Sequence, residues 1–292
     1  MIRTNRFQAV LLLTLGLAVG LLGCGSSGSG SAGSGGSGGA GGSSGDVLRI
    51  LVTNDDGVEA PGIDAVVEAL KGDPKNEIIV SAPAVNQSGS GDKTTPTPPP
   101  LEAMTTTTAS GYPATAVNGF PADSVIYALG NLYPDAPPHV VLSGINEGQN
   151  VGDVNGLLSQ ISGTVGAAKT AACADVPALA SSQGFGDTVA ATIDYESGVV
   201  EVVRWLEENR AALLAGQVSV QSITSINIPT CDTDNRGPVP VPLATVSSNE
   251  NFPVGPQDCQ STSATPVDDI DAFFNGYVAI TPVPRNTTCP DK

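Results

Sequence analysis

The chain has 292 residues, 35 of them Gly and 23 Pro, with 29 acidic and 12 basic side chains and a formal net charge of −17. That acidic surplus excludes gripping a nucleic-acid polymer by its phosphates, which needs clustered Lys and Arg, and excludes electrostatic adhesion to an anionic membrane. One His, His139, and five Cys are too few for Cys/His zinc-finger sites.

Residues 1–23 have the form of a lipoprotein signal peptide. Arg3 and Arg6 precede an apolar run at 9–22, which is short for a membrane span and right for a signal-peptide core. The run ends in Leu21-Leu22-Gly23-Cys24, a lipobox-like sequence that places a lipid on Cys24. An ordinary secretory signal is the alternative, but no good Ala-x-Ala cleavage site is present. Residues 24–45 then form the lipidated Cys and a linker, with 11 Gly and 8 Ser in 25–45. Such a tether has an r.m.s. reach of roughly 25 Å. Removing a leader that holds two Arg and no acid moves the charge from −17 to −19. The expected location is the bacterial cell envelope, periplasmic or surface-exposed, with membrane contact through the lipid anchor only.

Residues 46–292 remain as the folded body, long enough for a sizeable core. Val47–Thr53 is an apolar, β-branched run that predicts a buried strand, closed by the turn sequence Asn54-Asp55-Asp56-Gly57. Pro61–Lys71 has helical spacing, with Ile63, Val66, Val67 and Leu70 on one face, and Glu77–Ser81 is a second strand. Strand, helix and strand at this spacing make a βαβ unit and therefore a parallel sheet. Residues 83–111, rich in Pro, Thr, Ser and Gly, predict an irregular excursion with a hairpin near the prolines at 96–100.

Further along, the pattern predicts a helix at Pro121–Leu132, a strand at His139–Leu142, a Gly/Asn-rich loop at Ser143–Gly152 and a helix over 160–174. A strand at Pro177–Ala180 and a long amphipathic helix at Thr188–Ala215 follow. Val218–Ile228 and Phe273–Thr281 have strand character. The fold class is thus α/β: a Rossmann-like parallel-sheet sandwich with its core at 46–215 and a β-rich C-terminal extension at 216–292.

Four cysteines lie outside the leader, and an even count in an exported chain favours two disulfides. Three connectivities are possible. Cys231–Cys259 is the preferred local pair, which leaves Cys173–Cys289.

Asp55 and Asp56 close the first predicted strand, at the sheet edge where open α/β folds bind ligands. Adjacent carboxylates repel unless a cation neutralises them, and hard oxygen ligands suit Mg²⁺, Mn²⁺ or Ca²⁺. By itself Asp-Asp-Gly also serves as a plain turn. Three further segments follow strands or open helices and can meet at the same edge: Ala82–Gly89, Ser143–Gly152 and Ser162–Ala168.

Together with Thr53–Gly57 and Gly119–Asp123, these blocks resemble the SurE survival proteins, metal-dependent 5′-nucleotidases, in the family's order. The resemblance covers about residues 48–185, with an echo at Gly276–Pro282. It implies metal ligands at Asp55, Asp56, Ser88 and Asn146, with Asp55 and Asp56 as the catalytic pair. It also implies phosphate contacts from Asn150, Ser162, Gly163 and Thr164, a nucleoside 5′-monophosphate or similar small phosphate ester as substrate, and a homodimer. Helix capping is the plainer role for Ser162 and Thr164. Where the family commonly has Asp-Arg-Asn-Arg-Ser, this chain has Ala84-Val85-Asn86-Gln87-Ser88, so both arginines are absent. The His near the active site in some members has no counterpart in the C-terminal part, and His139, at the head of a buried strand, is expected to be structural. The competing reading is a non-catalytic surface lipoprotein that binds a ligand on the same fold.

Overall fold

The computed structural model describes residues 47–186, 192–287 and 289. The leader, Cys24 and the linker to residue 45 lie outside the described residues.

Strand β1 (Leu48–Thr53) is followed by α1 (Pro61–Leu70) and β2 (Asn76–Pro83). Pro61 opens α1, where a missing N–H costs nothing, and Ile63, Val66, Val67 and Leu70 are buried. Next come β3 (Ala103–Thr107), β4 (Pro113–Val117), α2 (Pro121–Asn131) and β5 (Val140–Glu147). A 3₁₀ turn (Val154–Gly156), α3 (Leu157–Ile161), α4 (Gly163–Cys173) and β6 (Ala178–Gln183) follow. Then come α5 (Tyr195–Leu214), β7 (Ser222–Ile228), β8 (Pro238–Pro240), α6 (Asp269–Phe274) and β9 (Val278–Pro284).

Among the described residues nine strands form one sheet in the order β3-β4-β2-β1-β5-β6-β7-β9-β8. From β4 to β7 every neighbouring pair is parallel, and β3 and β9 are added antiparallel. The α/β expectation is met, and the C-terminal strands extend this same sheet. One face packs α1 and α5 around Trp205, Leu206 and Val202, and the other packs α2 and α4 through Val125, Val165 and a run of alanines. Small residues let α4 bury ten of its eleven positions. The chain runs outward from β1 through β2 to β4, then crosses to β5 on the other side of β1. The crevice between the carboxyl ends of β1 and β5 is therefore the topological switch point.

Four local expectations are corrected. The hairpin is β3–β4, later than the prolines, and its turn is tied to α1: the Thr108 and Ser110 hydroxyls donate to Asp64 at 2.6 Å each. Ser143–Gly152 is not all loop. β5 runs through it to Glu147, with an irregular register between Ser143 and Asn146, because β6 pairs Asn146 with Ser182 and Glu147 with Gln183. The long helix starts at Tyr195, where Asp194 accepts the Ser197 N–H; residues 188–191 of that expectation lie outside the described residues. Phe273 and Phe274 belong to α6, not to a strand: Asp268 caps the helix through the Asp271 N–H at 2.8 Å, and β9 begins after Gly276. Both expected disulfides, Cys231–Cys259 and Cys173–Cys289, are formed.

Candidate metal and phosphate site

β1 delivers Asn54, Asp55 and Asp56 to the switch point. Asn54 shapes the turn, its Nδ2 donating to the Gly57 carbonyl at 2.8 Å and its Oδ1 accepting the Gly57 N–H at 3.2 Å. Asp55 is 3% exposed and accepts the Thr164 hydroxyl at 2.6 Å. The backbone N–H groups of Thr164 and Gly163, at the start of α4, also face its carboxylate and help hold its pKa down. The first turn of a buried helix thus aims its positive end at Asp55. Gly163 makes this approach possible: a Cβ there would lie 2.7 Å from Asp55 Cβ and 3.0 Å from its Oδ2.

Asp56, half-buried, accepts the Glu147 N–H at 3.1 Å from the end of β5 and the Asn86 Nδ2 at 3.5 Å from the segment after β2. That segment is seated by the Gln87 N–H on the Asp55 carbonyl at 2.7 Å, and Asn86 Oδ1 accepts the Ser88 N–H at 2.8 Å. Asn146, buried next to Glu147, donates from Nδ2 to the Gly148 carbonyl at 2.6 Å, which leaves Oδ1 as its acceptor end.

The structure therefore brings Asp55, Asp56, Asn146, Gly163 and Thr164 together, with Ser88 on the exposed rim. Asn150 and Ser162 have other partners. Asn150 donates from Nδ2 to Ser182 Oγ at 2.9 Å and from N to Asn227 Oδ1 at 2.7 Å, linking β6 to β7. Ser162 is the α4 cap, its Oγ accepting the Val165 N–H at 3.1 Å. His139 is remote: at the head of β5 its Nδ1 accepts the Arg49 N–H at 2.9 Å.

Three neighbours of the site were given no role in the sequence reading, although Asp123 and Glu147 lie within its family-like blocks. Asp123, buried on α2, accepts the Thr95 N–H and hydroxyl and the Phe120 N–H, holding the loop after the Ser88 segment. Its position three residues after Phe120 is half a capping box, and that spacing was the available signal. Glu147 gives its backbone N–H to Asp56, while its carboxylate charge opposes ionisation of Asp56. Tyr195, first residue of α5, has a hydroxyl whose pKa is raised by burial and by the nearby Glu147 and Asp56 charges; no spacing marks it.

Burial raises the Asp55 pKa, opposed by the hydrogen bonds from Thr164 and Gly163. Burial, the Asp55 charge and Glu147 together push Asp56 from the usual 3.8 up to about 7. Among the described residues neither carboxylate makes an ion pair, and no group of three or more His, Cys, Asp or Glu side chains is set for a metal. The donor set is instead two carboxylates short of positive charge plus neutral oxygens, which fits a hard divalent cation.

The sign of the resulting pH effect follows. A carboxyl whose folded pKa exceeds its unfolded value stabilises the fold while protonated; this contribution is whole below 3.8 and lost as pH rises through about 7. The metal-free protein is expected to melt progressively lower from about pH 4 to about pH 7, with a divalent cation recovering the loss at the upper end. A flat metal-free melting profile across that window counts against the buried pair.

An open, mostly parallel α/β sheet with two adjacent cation-seeking carboxylates at its switch point defines the class of this protein. The chain belongs to the SurE family: the family model described as "Survival protein SurE" matches residues 50–250. It is 33% identical over 262 residues to the 5′-nucleotidase SurE of Ruegeria pomeroyi, covering 84% of this chain and 96% of that one. It is 41% identical over 139 residues to the 5′-nucleotidase SurE 1 of Burkholderia lata, a match that spans 48% of this chain and only half the length of that relative. Among solved structures, the SurE protein from Aquifex aeolicus is similar with a TM-score of 0.64 at 28% identity, covering 82% of this chain and 94% of that one.

Proposed function

We propose that this protein is a divalent-metal-dependent phosphomonoesterase that hydrolyses nucleoside 5′-monophosphates or similar small phosphate esters. The observation that carries the reading is the Asp55–Asp56 pair at the switch point, faced by the N-terminus of α4 and lacking any cationic partner among the described residues. The names of the relatives support it.

Asp55, Asp56, Ser88 and Asn146 would hold Mg²⁺, Mn²⁺ or Ca²⁺, and the ion supplies Lewis-acid polarisation of a phosphoryl oxygen. The chain's own contribution is positioning. Thr164 Oγ1 and the α4 N–H groups lock one carboxylate, and the Glu147 N–H locks the other. Pre-set donors of this kind need no reorganisation when substrate arrives. With Val85 and Gln87 uncharged, this segment lends no arginine to the phosphate, and the attraction would come from a bound cation and the α4 dipole. The same uncharged segment is what favours the second reading, a non-catalytic ligand-binding lipoprotein.

Phosphate release from a panel of nucleoside monophosphates and simple esters, with each cation and with chelator, tests the reading. Chelator-sensitive release is expected; none with any cation on any ester overturns it in favour of the binding protein.

The protein is further proposed to lie in the bacterial cell envelope, anchored by lipid on Cys24, which the leader sequence supports, and to act as a homodimer, which the family resemblance supports. Among the described residues no helix is long and apolar enough to cross a membrane. Cys24→Ala is expected to move the protein from the detergent phase to the aqueous phase; unchanged partitioning overturns the anchor.

A further inference from the structure

We propose that Phe185 is a stacking platform for the planar base of the substrate, so that the site selects nucleotides over ring-free phosphate esters. This rests on the phosphomonoesterase reading for its phosphate end and on separate observations for the base.

Phe185 lies two residues past the end of β6, on the carboxyl edge of the sheet that carries the site. It is 40% exposed and is the one aromatic ring among the exposed large apolar side chains of the described residues. Leaving that much aromatic surface in water forfeits burial, so an exposed ring at a site rim invites a flat apolar partner.

The backbone beneath the ring is pinned on both sides. The Gly184 N–H donates to the Ile228 carbonyl at 2.8 Å, and the Gly184 carbonyl accepts the Thr230 hydroxyl. The Gly186 N–H donates to the buried Gln257 Oε1 at 3.1 Å. A ring on so fixed a segment loses little further freedom on binding, which is the mark of a preorganised contact.

Its position relative to the phosphate end follows from covalent geometry. The Cε–Cζ edge of the ring rests on Gly148, where any Cβ would collide with it. Gly148 follows Glu147, whose N–H holds Asp56 at 3.1 Å. Backbone dimensions then place the ring edge no more than roughly 12 Å from the Asp56 carboxylate. A nucleoside monophosphate with its phosphate at Asp55 and Asp56 extends its base over such a span. Stacking tolerates every base, since each has a π-face, so the platform selects for a ring and not for one nucleobase.

The test compares adenosine 5′-monophosphate with ribose 5-phosphate, which has a hydroxyl at C1 in place of the planar base. Phe185→Ala is expected to lower kcat/KM for the nucleotide roughly tenfold or more, mainly through KM, and to leave ribose 5-phosphate unchanged. Phe185→Tyr restores the preference. Equal loss on both esters, or no loss on either, overturns the proposal. A second readout is independent of catalysis: titration with adenosine, which lacks the phosphate. Saturable adenosine binding that Phe185→Ala weakens and Phe185→Tyr retains supports the platform. No binding to wild type, or equal binding to wild type and Phe185→Ala, overturns it. Absence of phosphate release from both esters overturns the phosphatase reading, while the adenosine titration still decides Phe185.

Discussion

Asp55→Asn is expected to cut chelator-sensitive phosphate release by at least about a hundredfold while the metal-free protein melts near wild type. Metal-assisted polarisation contributes several kcal/mol of transition-state stabilisation, and each ~1.4 kcal/mol is about tenfold in rate. The two carboxylates supply the whole formal charge that offsets the ion; Ser88 and Asn146 offer only dipoles. Asn keeps the size of Asp, and its Oδ1 can still accept the Thr164 hydroxyl that now sits at 2.6 Å. Its NH₂ faces the α4 N–H groups less well, a cost set against relief from holding an unpaired charge at 3% exposure. Activity and stability therefore part company, which a merely structural Asp55 would not allow. Asp56→Asn is expected to behave alike. If both variants keep full chelator-sensitive activity, the ligand assignment is wrong.

What the sequence made legible and what it hid divide along the range of the interactions. Asp55 and Asp56 stood out because an apolar β-branched run stopped at Asn-Asp-Asp-Gly, and strand, turn and sheet edge are all local consequences of that pattern. α1 was equally local, since Pro61 and its apolar face lie within ten residues. The contact that most shapes the site, Thr164 on Asp55, joins residues 109 apart, and no periodicity encodes it. The continuation of β5 through Ser143–Glu147 was hidden for the same reason: Gly and Asn argue for a loop, and only the pairing with β6 makes the segment a strand. α6 reversed the expectation at Phe273 because a cap at Asp268, with acids in the first turn, outweighed the β character of two aromatics. Ser162 and Asn150 sit where the family pattern places them, and the structure adds partners that the motif does not encode: Val165 for the Ser162 oxygen, and Ser182 and Asn227 for Asn150.

Gly163→Ala carries the other large expected effect, because it pushes the start of α4 against the site. The added methyl would stand 2.7 Å from Asp55 Cβ, with Asp55 Oδ2 and Pro121 Cγ both at 3.0 Å. Asp55 is held at the end of β1 and Pro121 at the start of α2, so the easiest relief is retreat of α4. Retreat withdraws the Gly163 and Thr164 N–H groups and the Thr164 hydroxyl together from the carboxylate. Overpacking of this kind costs about 1–3 kcal/mol in stability. Misplacing catalytic donors by an ångström can cost about a hundredfold in rate, so a drop of at least tenfold in phosphate release is expected. The same substitution at Gly130, an exposed position of α2 with nothing within 4 Å of a built Cβ, is the control. There Ala should stabilise by up to about 1 kcal/mol through helix propensity and leave activity alone. Opposite shifts in melting temperature from one chemical change would locate the cost in the contact with Asp55. If Gly163→Ala instead melts and turns over like Gly130→Ala, α4 does not press on Asp55, and the helix loses its part in the site.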